Sequence, residues 1–449
     1  LAPISLFMFL LVLLYLPPVQ NWIVKRVADY ASKKTGMEIS VGHVSLSFPL
    51  DLRLEQVMAL RPNDSIPQRR DTVADVKELV VDVQLMPLFK SRVEIDQLTF
   101  KGLKANTMNY IGDLQIRGNL ERLNLYRTNF RLHMPGDSMV IDANFHKAAA
   151  QNTSIDLYNK VYRVDGIAWQ GGSLTYDKTF VPRMRHGFDA AHIALNKLNM
   201  GVDSLSYDST GVSVNVRTAN FTEQRGLIVN DLRTRFRLDS THFYLQPFYL
   251  RMPQTELKGS VAMALNAFSA INPGQLAVSL NGFVRINDLQ PLLSGSVPTR
   301  FLHAIPPERI HVNGSLRGNM RNLILQKLRI GMPQHFALKV NGRISNLQSP
   351  RNLSVNLALG GSLRDIRFVK RLLPKSIGST IKIPTGIDFN AKVRAQGTQY
   401  HADMLLYEGG GNVAVKADFN KSSQTYNVTA RAVNLQLQHF VAKTGLYPF

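Results

Sequence analysis

From residue 37 onward the sequence alternates between apolar and polar residues with a period of two. Clear runs are Leu50/Leu52/Leu54, Val212/Val214/Val216, Val261/Met263/Leu265, Leu353/Val355/Leu357/Leu359 and Val413/Val415/Phe419. Because successive side chains of a β-strand point to opposite faces, the pattern predicts strands with one dry and one wet face. Polar segments such as 61–71 and 420–423 separate these runs, as turns do.

Helical patterns are scarce after residue 36. The short candidates are Asp288–Leu293, Thr299–Ala304, Asp365–Leu373 and Leu437–Thr444. Several hundred residues of one-sided sheet therefore lack a helical layer to cover their apolar face. The residues leave three arrangements open: two sheets packed face to face, a closed barrel, or a sheet curled around something apolar that is not protein.

The first 18 residues form an apolar run without charge, and the first charged residue is Lys25. Such a run predicts a membrane anchor; a cleaved signal peptide and a buried helix are the alternatives. The chain begins at Leu1 rather than at Met, so we expect that residues have been removed from the front of this anchor. Its apolar side chains are Leu6, Phe7, Phe9, Leu10, Leu11, Leu13, Leu14 and Leu16.

Residues 19–36 follow with a helical period of three to four. Apolar side chains recur on one side and basic side chains on the other, which predicts a short amphipathic helix with Gly36 as its C-cap. Trp22, Lys25 and Arg26 are expected at the membrane interface, where aromatic and basic side chains are favoured. The helix could lie on head groups or close one end of the β-structure.

Composition excludes several classes of chemistry. The 449 residues include no cysteine, which rules out disulfides, thiolate zinc sites and iron–sulfur ligation. The eleven histidines show no ligand spacing, no nucleophile motif is present and the carboxylates are dispersed. We therefore predict no catalytic, metal or cofactor site and no enzyme. The net charge of +21 favours anionic partners, but its even spread argues against nucleic acid.

Two short patterns repeat along the chain. Leu250-Arg-Met-Pro-Gln254 returns eighty residues later as Ile330-Gly-Met-Pro-Gln334, and Leu132–Gly136 is a weaker echo. A strand that runs into a short helix recurs around Asp288, Asp365 and Asn434. Long repeats of strands with one short helix predict an extended stack of sheet units.

These features together resemble the AsmA-like superfamily and, within it, the N-terminal part of TamB-type (translocation and assembly module) proteins of a Bacteroides-like lineage. The resemblance rests on the anchor and amphipathic helix leading into Ile39–Phe48, on the segment Phe221–Leu232 followed by Phe243–Gly259, and on the repeated strand-to-helix unit. It covers essentially the whole chain, and the order and spacing of degenerate motifs carry it. It implies a mostly β fold, a long curled antiparallel sheet that forms a taco-like groove over residues 37–449 with an apolar interior.

The resemblance also implies a function and a location. The expected function is bridge-like transport of phospholipid between the inner and outer membranes of a Gram-negative bacterium. The alternative is a scaffold for assembly of outer-membrane β-barrels, with an outer-membrane barrel protein of the TamA or BamA type as partner. The family is anchored in the inner membrane by a single pass, with its β-region in the periplasm, although Lys25 and Arg26 after the anchor favour the cytoplasmic side.

The strongest alternation selects the candidate groove residues. They are Leu338, Val340, Leu353, Val355, Leu357, Leu359, Val413 and Val415. Their expected contribution is apolar character alone, and the competing interpretation is the core of an ordinary β-sandwich. A basic β-rich nucleic-acid-binding protein is a third interpretation, which lacks clustered aromatic and basic residues on adjacent strands.

Overall fold

The chain is mostly β in the computed structural model, which describes residues 16–47, 51–63, 66, 68–83, 95–108, 117–134, 138–156, 158–187, 189–294, 297–371 and 385–434. It divides into two compact units. The first contains Leu1–Met184 and Asp189–Ile228, and the second contains Arg185–Phe188 and Val229–Phe449. The predicted anchor residues from Leu6 to Leu14 lie outside the described residues.

Helix α1 (Pro17–Thr35) opens the described part of the first unit. It ends at Gly36, whose φ of 67° is left-handed and whose amide donates to the carbonyl of Ser32, so this glycine is the C-cap that the sequence predicts. The Ser32 hydroxyl accepts a bond of 3.0 Å from the amide of Ile39 and ties the helix to the first strand. Leu16 precedes the helix in an extended conformation, and Trp22 and Lys25 are exposed. None of the described helices combines the length and the apolar content that crossing a bilayer requires.

Eleven strands form the sheet of the first unit. They are β1 (Glu38–Ser40), β2 (His43–Ser47), β3 (Asp51–Pro62), β4 (Arg70–Val83), β5 (Ile95–Lys101), β6 (Lys104–Met108), β7 (Arg117–Met134), β8 (Met139–Asp156), β9 (Val161–Lys178), β10 (His192–Asp208) and β11 (Gly211–Glu223). The strand predicted over Ile39–Phe48 is interrupted at Val41-Gly42, and β3 and β4 extend into the predicted loop 61–71. The two-residue β12 (Ile228–Val229) stands at the division of the chain.

One part of this sheet corrects the expectation of antiparallel pairing throughout. Strands β5 and β6 both pair in parallel with β7, whereas both pair antiparallel with β4. Side chains alternate between the faces of a strand in either direction, so the sequence pattern carries no information on this point.

Twelve strands form the sheet of the second unit. They are β13 (Asp231–Asp239), β14 (His242–Arg251), β15 (Glu256–Ala264), β16 (Leu276–Val284), β17 (Ile310–Asn319), β18 (Asn322–Met332), β19 (Phe336–Ser345), β20 (Ser354–Leu363), β21 (Ile387–Gln396), β22 (Gln399–Glu408), β23 (Gly411–Asn420) and β24 (Thr425–Val433). Each pairs antiparallel with the next strand along the chain, so the unit is a meander.

The short helices of the second unit agree with the sequence. Helices α2 (Ile286–Leu293) and α3 (Thr299–Ala304) follow β16, and a 3-10 helix at Arg367–Arg371 follows β20. A further 3-10 helix, Pro350–Asn352, connects β19 to β20. The candidate at Leu437–Thr444 lies outside the described residues.

The helical segments that follow β16 and β20 begin at the same end of the strands of this sheet. Strand β20 is the fourth strand after β16, and in an antiparallel sheet an even number of steps returns the chain to the same end of the strands. We call this end of the strands the helix rim. At the opposite end, which we call the turn rim, turns such as 265–275, 320–321 and 346–353 join neighbouring strands.

At the helix rim the two repeated sequence patterns meet each other. Met252 and Met332 are buried where β14 and β18 end. In the first copy, the amide of Gln254 donates to the Asp288 carboxylate at 2.8 Å. In the second, the amide of Arg364 donates to the carbonyl of His335 at 2.8 Å. Each Met-Pro-Gln turn is therefore fastened to the strand-to-helix turn beside it, which explains why the two patterns recur together.

Candidate functional site

Cross-strand register places the apolar residues of the second sheet in continuous rows. One row runs Leu328, Val340, Leu359, Ala391, Met404, Val415 and Ala430; the next runs Leu325, Gly342, Leu357, Val393, Ala402, Ala417 and Val428. Directly opposed residues of paired strands share one face of the sheet. We call this side of the second sheet, from β13 to β24, its apolar face.

Seven of the eight candidate groove residues lie in strands on this face. Val340 and Leu359 are opposed in the β19–β20 pair, and Leu357 opposes Gly342. Leu353 does not belong to β20; it precedes that strand, and its carbonyl accepts a 2.8 Å bond from the amide of Gly397. Val413 and Val415 lie three strands away and pair with β22 and β24.

The two faces of this sheet differ in their access to solvent. On β19, Ala337, Lys339 and Asn341 are exposed, whereas Leu338 between them is half-buried and Val340 is buried. Small side chains on the polar side, such as Ala358, are exposed although the larger Leu357 and Leu359 beside it are not. The difference therefore belongs to the face and not to the size of the side chain.

Most of the apolar face is only half-buried. Among the eight candidates only Val340 and Val413 are buried, and the remaining six are partly accessible. The buried cluster in this unit consists of Ala267, Leu276, Met320 and Leu323, beside the turn rim. Within the described residues no helix packs along the strands to complete a layer. A conventional core encloses its apolar side chains on all sides, and this face does not meet that condition.

Glycines interrupt the apolar face at positions that face leucines. Gly342 opposes Leu357 and Gly361 opposes Leu338. A Cβ on Gly342 would stand 2.1 Å from the carbonyl oxygen of Asn356, and its φ of 144° also disfavours other residues. A Cβ on Gly361 would stand 2.0 Å from the carbonyl oxygen of Ala337. Neither position can carry a side chain without a shift of the neighbouring strand.

Charged side chains keep to the other face. From β19 to β23 the one charged residue in an apolar-face position is Glu408, at the helix rim. On the polar face, His401 Nδ1 lies 2.6 Å from the Asp418 carboxylate and His401 Nε2 lies 2.9 Å from that of Asp403. The hydrogen bond to Asp418 raises the pKa of His401, and the bond to His401 lowers the pKa of Asp403.

Sequence reasoning missed the strands that join the two groups of candidates. Ile387, Phe389, Ala391, Val393 and Ala395 of β21 occupy the apolar face, as do Met404 and Leu406 of β22. The signal for β21 was available, because Ile-Asp-Phe-Asn-Ala-Lys-Val-Arg-Ala alternates without exception. On β22 the run Met404-Leu-Leu406 hides the alternation, since Leu405 lies on the polar face.

No similarity identifies the chain. Comparisons with protein-family models, with curated proteins and with solved structures find no match. Among the described residues no three His, Asp or Glu side chains are grouped closely enough to hold a metal ion. The arrangement that the described residues bring together is the apolar face itself, a surface of apolar side chains without charge over most of its extent.

Proposed function

We propose that this protein carries phospholipid, with the acyl chains lying along the apolar face of the second sheet. The observation that supports the proposal is the register of that face. Apolar residues follow one another across twelve neighbouring strands, mostly half-buried except on the exposed β24, without a helix packed along them in the described part of the chain. A resident or passing apolar ligand would complete the burial that the protein leaves unfinished.

The energetic need for such a face is large. Transfer of a methylene to water costs about 0.8 kcal/mol, so a two-chain lipid of about 30 methylenes faces a cost on the order of 24 kcal/mol. On a continuous apolar surface the acyl chains could move from one row of side chains to the next without being transferred fully into water. Head groups would stay in water along an open rim of the sheet.

The closest test uses two neighbouring residues on opposite faces. Leu357 and Asn356 are adjacent in β20, but Leu357 lies on the apolar face and Asn356 on the polar face. A photo-crosslinking amino acid is introduced at each position in the full chain, and the bacterium that expresses it is fed radiolabelled phospholipid precursor. We expect lipid adducts at position 357 and none at position 356.

Two results would contradict the proposal. Equal labelling at both positions would indicate nonspecific contact with lipid. Adducts with protein alone at position 357 would mean that another polypeptide covers the apolar face. Native mass spectrometry of the purified protein gives an independent reading, because bound phospholipid should add its mass to the intact chain.

A second candidate function is a scaffold for assembly of outer-membrane β-barrels. The observation in its favour is β24, whose residues are all exposed and which pairs with β23 alone among the described strands. An exposed edge offers backbone N–H and C=O groups to an incoming strand. Replacing Val428 in β24 with proline should impair barrel assembly and leave lipid adducts at position 357, if this edge is the template.

The proposed location is the inner membrane, with residues 37–449 in the periplasm and an outer-membrane barrel protein as partner. Lipid transport between two membranes requires an attachment at one of them, and the uncharged run from Leu1 to Pro18 could supply it. Deleting that run should release the protein into the soluble fraction. Retention in carbonate-washed membranes after the deletion would show that other residues hold it there.

A further inference from the structure

Exposed apolar side chains gather at the turn rim of the second sheet. Phe268 and Ile271, in the turn between β15 and β16, are 64% and 84% exposed. Leu265 of the same turn and Leu347, in the turn between β19 and β20, are also exposed. We call these four side chains the turn patch.

Hydrogen bonds hold the turn patch in place. The Gln348 side chain donates to the carbonyl of Phe268 at 2.8 Å, and the Arg321 guanidinium donates to the carbonyl of Ile271. The amide of Leu347 in turn donates to the carbonyl of Met320 at 2.9 Å. Hydrogen bonds thus join the turns 265–275, 320–321 and 346–353, which follow one another along this rim.

A buried residue anchors the same turn from below. Ala267 is completely buried against Leu276, Met320 and Leu323, one residue before the exposed Phe268. The Asn266 side chain bonds to the carbonyl of Asn272 at 2.9 Å and closes the turn on itself. The turn therefore cannot bury Phe268 and Ile271 by collapsing onto the sheet without breaking these contacts.

The three turns that carry the turn patch contain only basic charges, although the adjoining turn, whose Thr241 carbonyl accepts a 2.8 Å bond from the amide of Leu265, follows Asp239. The turns 265–275, 320–321 and 346–353 contain Arg321 and Arg351 and no aspartate or glutamate. Within the described residues neither arginine forms an ion pair. The helix rim differs, because there Asp365 pairs with Arg367 and Glu308 with His335. A rigid apolar tip flanked by two arginines that form no ion pair with the described residues fits a bilayer surface that contains anionic lipid.

We infer that the turn patch inserts into the interface of an anionic membrane. Phe268 and Ile271 enter the boundary between head groups and acyl chains, while Arg321 and Arg351 meet lipid phosphates. This inference does not rest on the proposed lipid pathway, since it concerns the rim of the sheet and not its apolar face.

The absence of native cysteine makes a direct test possible. Ile271→Cys is labelled with an environment-sensitive fluorophore in the full chain, reconstituted into vesicles of phosphatidylcholine alone or mixed with phosphatidylglycerol. Ser423→Cys, exposed in another turn of the same rim, is the matched control. We expect the label at 271 to shift to the blue and to be quenched by brominated acyl chains in mixed vesicles, and the label at 423 to stay in water.

Removing the two arginines tests the electrostatic part. One basic residue contributes about 1 kcal/mol near an anionic surface. The double variant Arg321→Gln/Arg351→Gln should therefore lower the ratio of immersed to water-exposed label about 30-fold, close to its value in phosphatidylcholine alone, and Arg351→Gln alone, which keeps the bond from Arg321 to the Ile271 carbonyl, should lower it about 5-fold. Circular dichroism confirms that each variant is folded.

Two outcomes would overturn the inference. One is quenching at position 271 no greater than at position 423 in mixed vesicles. The other is the same blue shift without vesicles, growing with protein concentration, which would assign the patch to contact between copies of this chain. Failure of lipid crosslinking at Leu357 would leave the membrane contact standing, so the two proposals fail separately.

Discussion

The two units use the apolar residues of an alternating sequence in different ways. In the first, Trp169 is buried with Ala143 and Leu198, and partly buried aromatic and aliphatic side chains pack around them. In the second, the strands from β19 to β23 hold an equally regular apolar face that stays mostly half-buried. The same period-two pattern thus leads to a packed core in one unit and, among the residues that the structure describes, to a half-buried face in the other.

Backbone irregularity accompanies this difference. Arg127, Gly171 and Lys197 have left-handed φ values on three strands around Trp169, and the register of β10 with β11 shifts beside Lys197. Bulged strands bend, and at this point the rings of Trp169 and Phe145 lie 4.2 Å apart between centroids. The pairs from β19 to β24 show no register shift. Bends let a sheet cover its own side chains, and the regular pairs from β19 to β24 provide no such cover.

The largest expected effect comes from Trp169. Trp169→Ala should lower the free energy of unfolding of the first unit by about 3–5 kcal/mol, because it removes the centre of a packed cluster. Hydrogen exchange measured by mass spectrometry reads the two units separately. Trp169→Phe is the control, since it keeps a ring against Phe145 and should cost less. Equal protection of the wild type and the alanine variant would show that the cluster contributes little.

A matched pair of leucines sharpens the comparison. Leu198 is buried in the first unit and Leu357 half-buried in the second. Leu198→Ala should cost about 2–5 kcal/mol through the cavity that it leaves. Leu357→Ala should cost about 1–2 kcal/mol, because mobile chains or water can fill the gap. Hydrogen exchange of the backbone amides in β10 and in β20 measures the two losses of stability separately. A larger loss at Leu357 than at Leu198 would mean that the apolar face is a packed core.

A charge at the same position separates stability from function. Leu357→Asp should remain folded, because its side chain has access to solvent in the absence of lipid. If acyl chains pass along this row as we propose, each must desolvate the new carboxylate, so lipid transfer should fall sharply. A fluorescent-lipid transfer assay makes the measurement, with Asn356→Asp on the polar face as control. Undiminished transfer by Leu357→Asp would remove β20 from the lipid pathway.

Sequence could predict the alternation, the scarcity of helices and the short helices after β16 and β20. It could predict the side on which Leu357 and Val413 lie, because a period of two fixes the face once a strand is placed. It could not predict that β5 and β6 run parallel to β7, since strand direction does not change the alternation. Nor could the sequence predict that Trp169 lies in a packed core while Leu357 lies on a half-buried face, because that difference depends on where the backbone bends.

The smallest expected effect concerns pH and two histidines. His192 is 4% exposed; its Nδ1 contacts the Asp177 carboxylate and its Nε2 lies 2.8 Å from the carbonyl of Val181. Both ring nitrogens face acceptors, so only the charged imidazole can donate to both. Asp189 also faces the ring, Arg225 pairs with Asp189, and Arg183 pairs with Asp177. The hydrogen bond to Asp177 raises the pKa of His192 above its ordinary value of 6.5.

A raised pKa in the folded state gives a stabilisation that is complete below about pH 6.5 and is lost as pH rises through the raised value. We therefore expect the protection of residues 179–184 against hydrogen exchange, corrected for intrinsic rates, to be constant below about pH 6.5 and to fall as the pH rises above it. His192→Gln should abolish this dependence. His401, which is more exposed and lies on the polar face of the second unit, should show a weaker response in β22. A response at β22 as large as that at residues 179–184 would mean that burial of His192 in the first unit adds nothing to its coupling with pH.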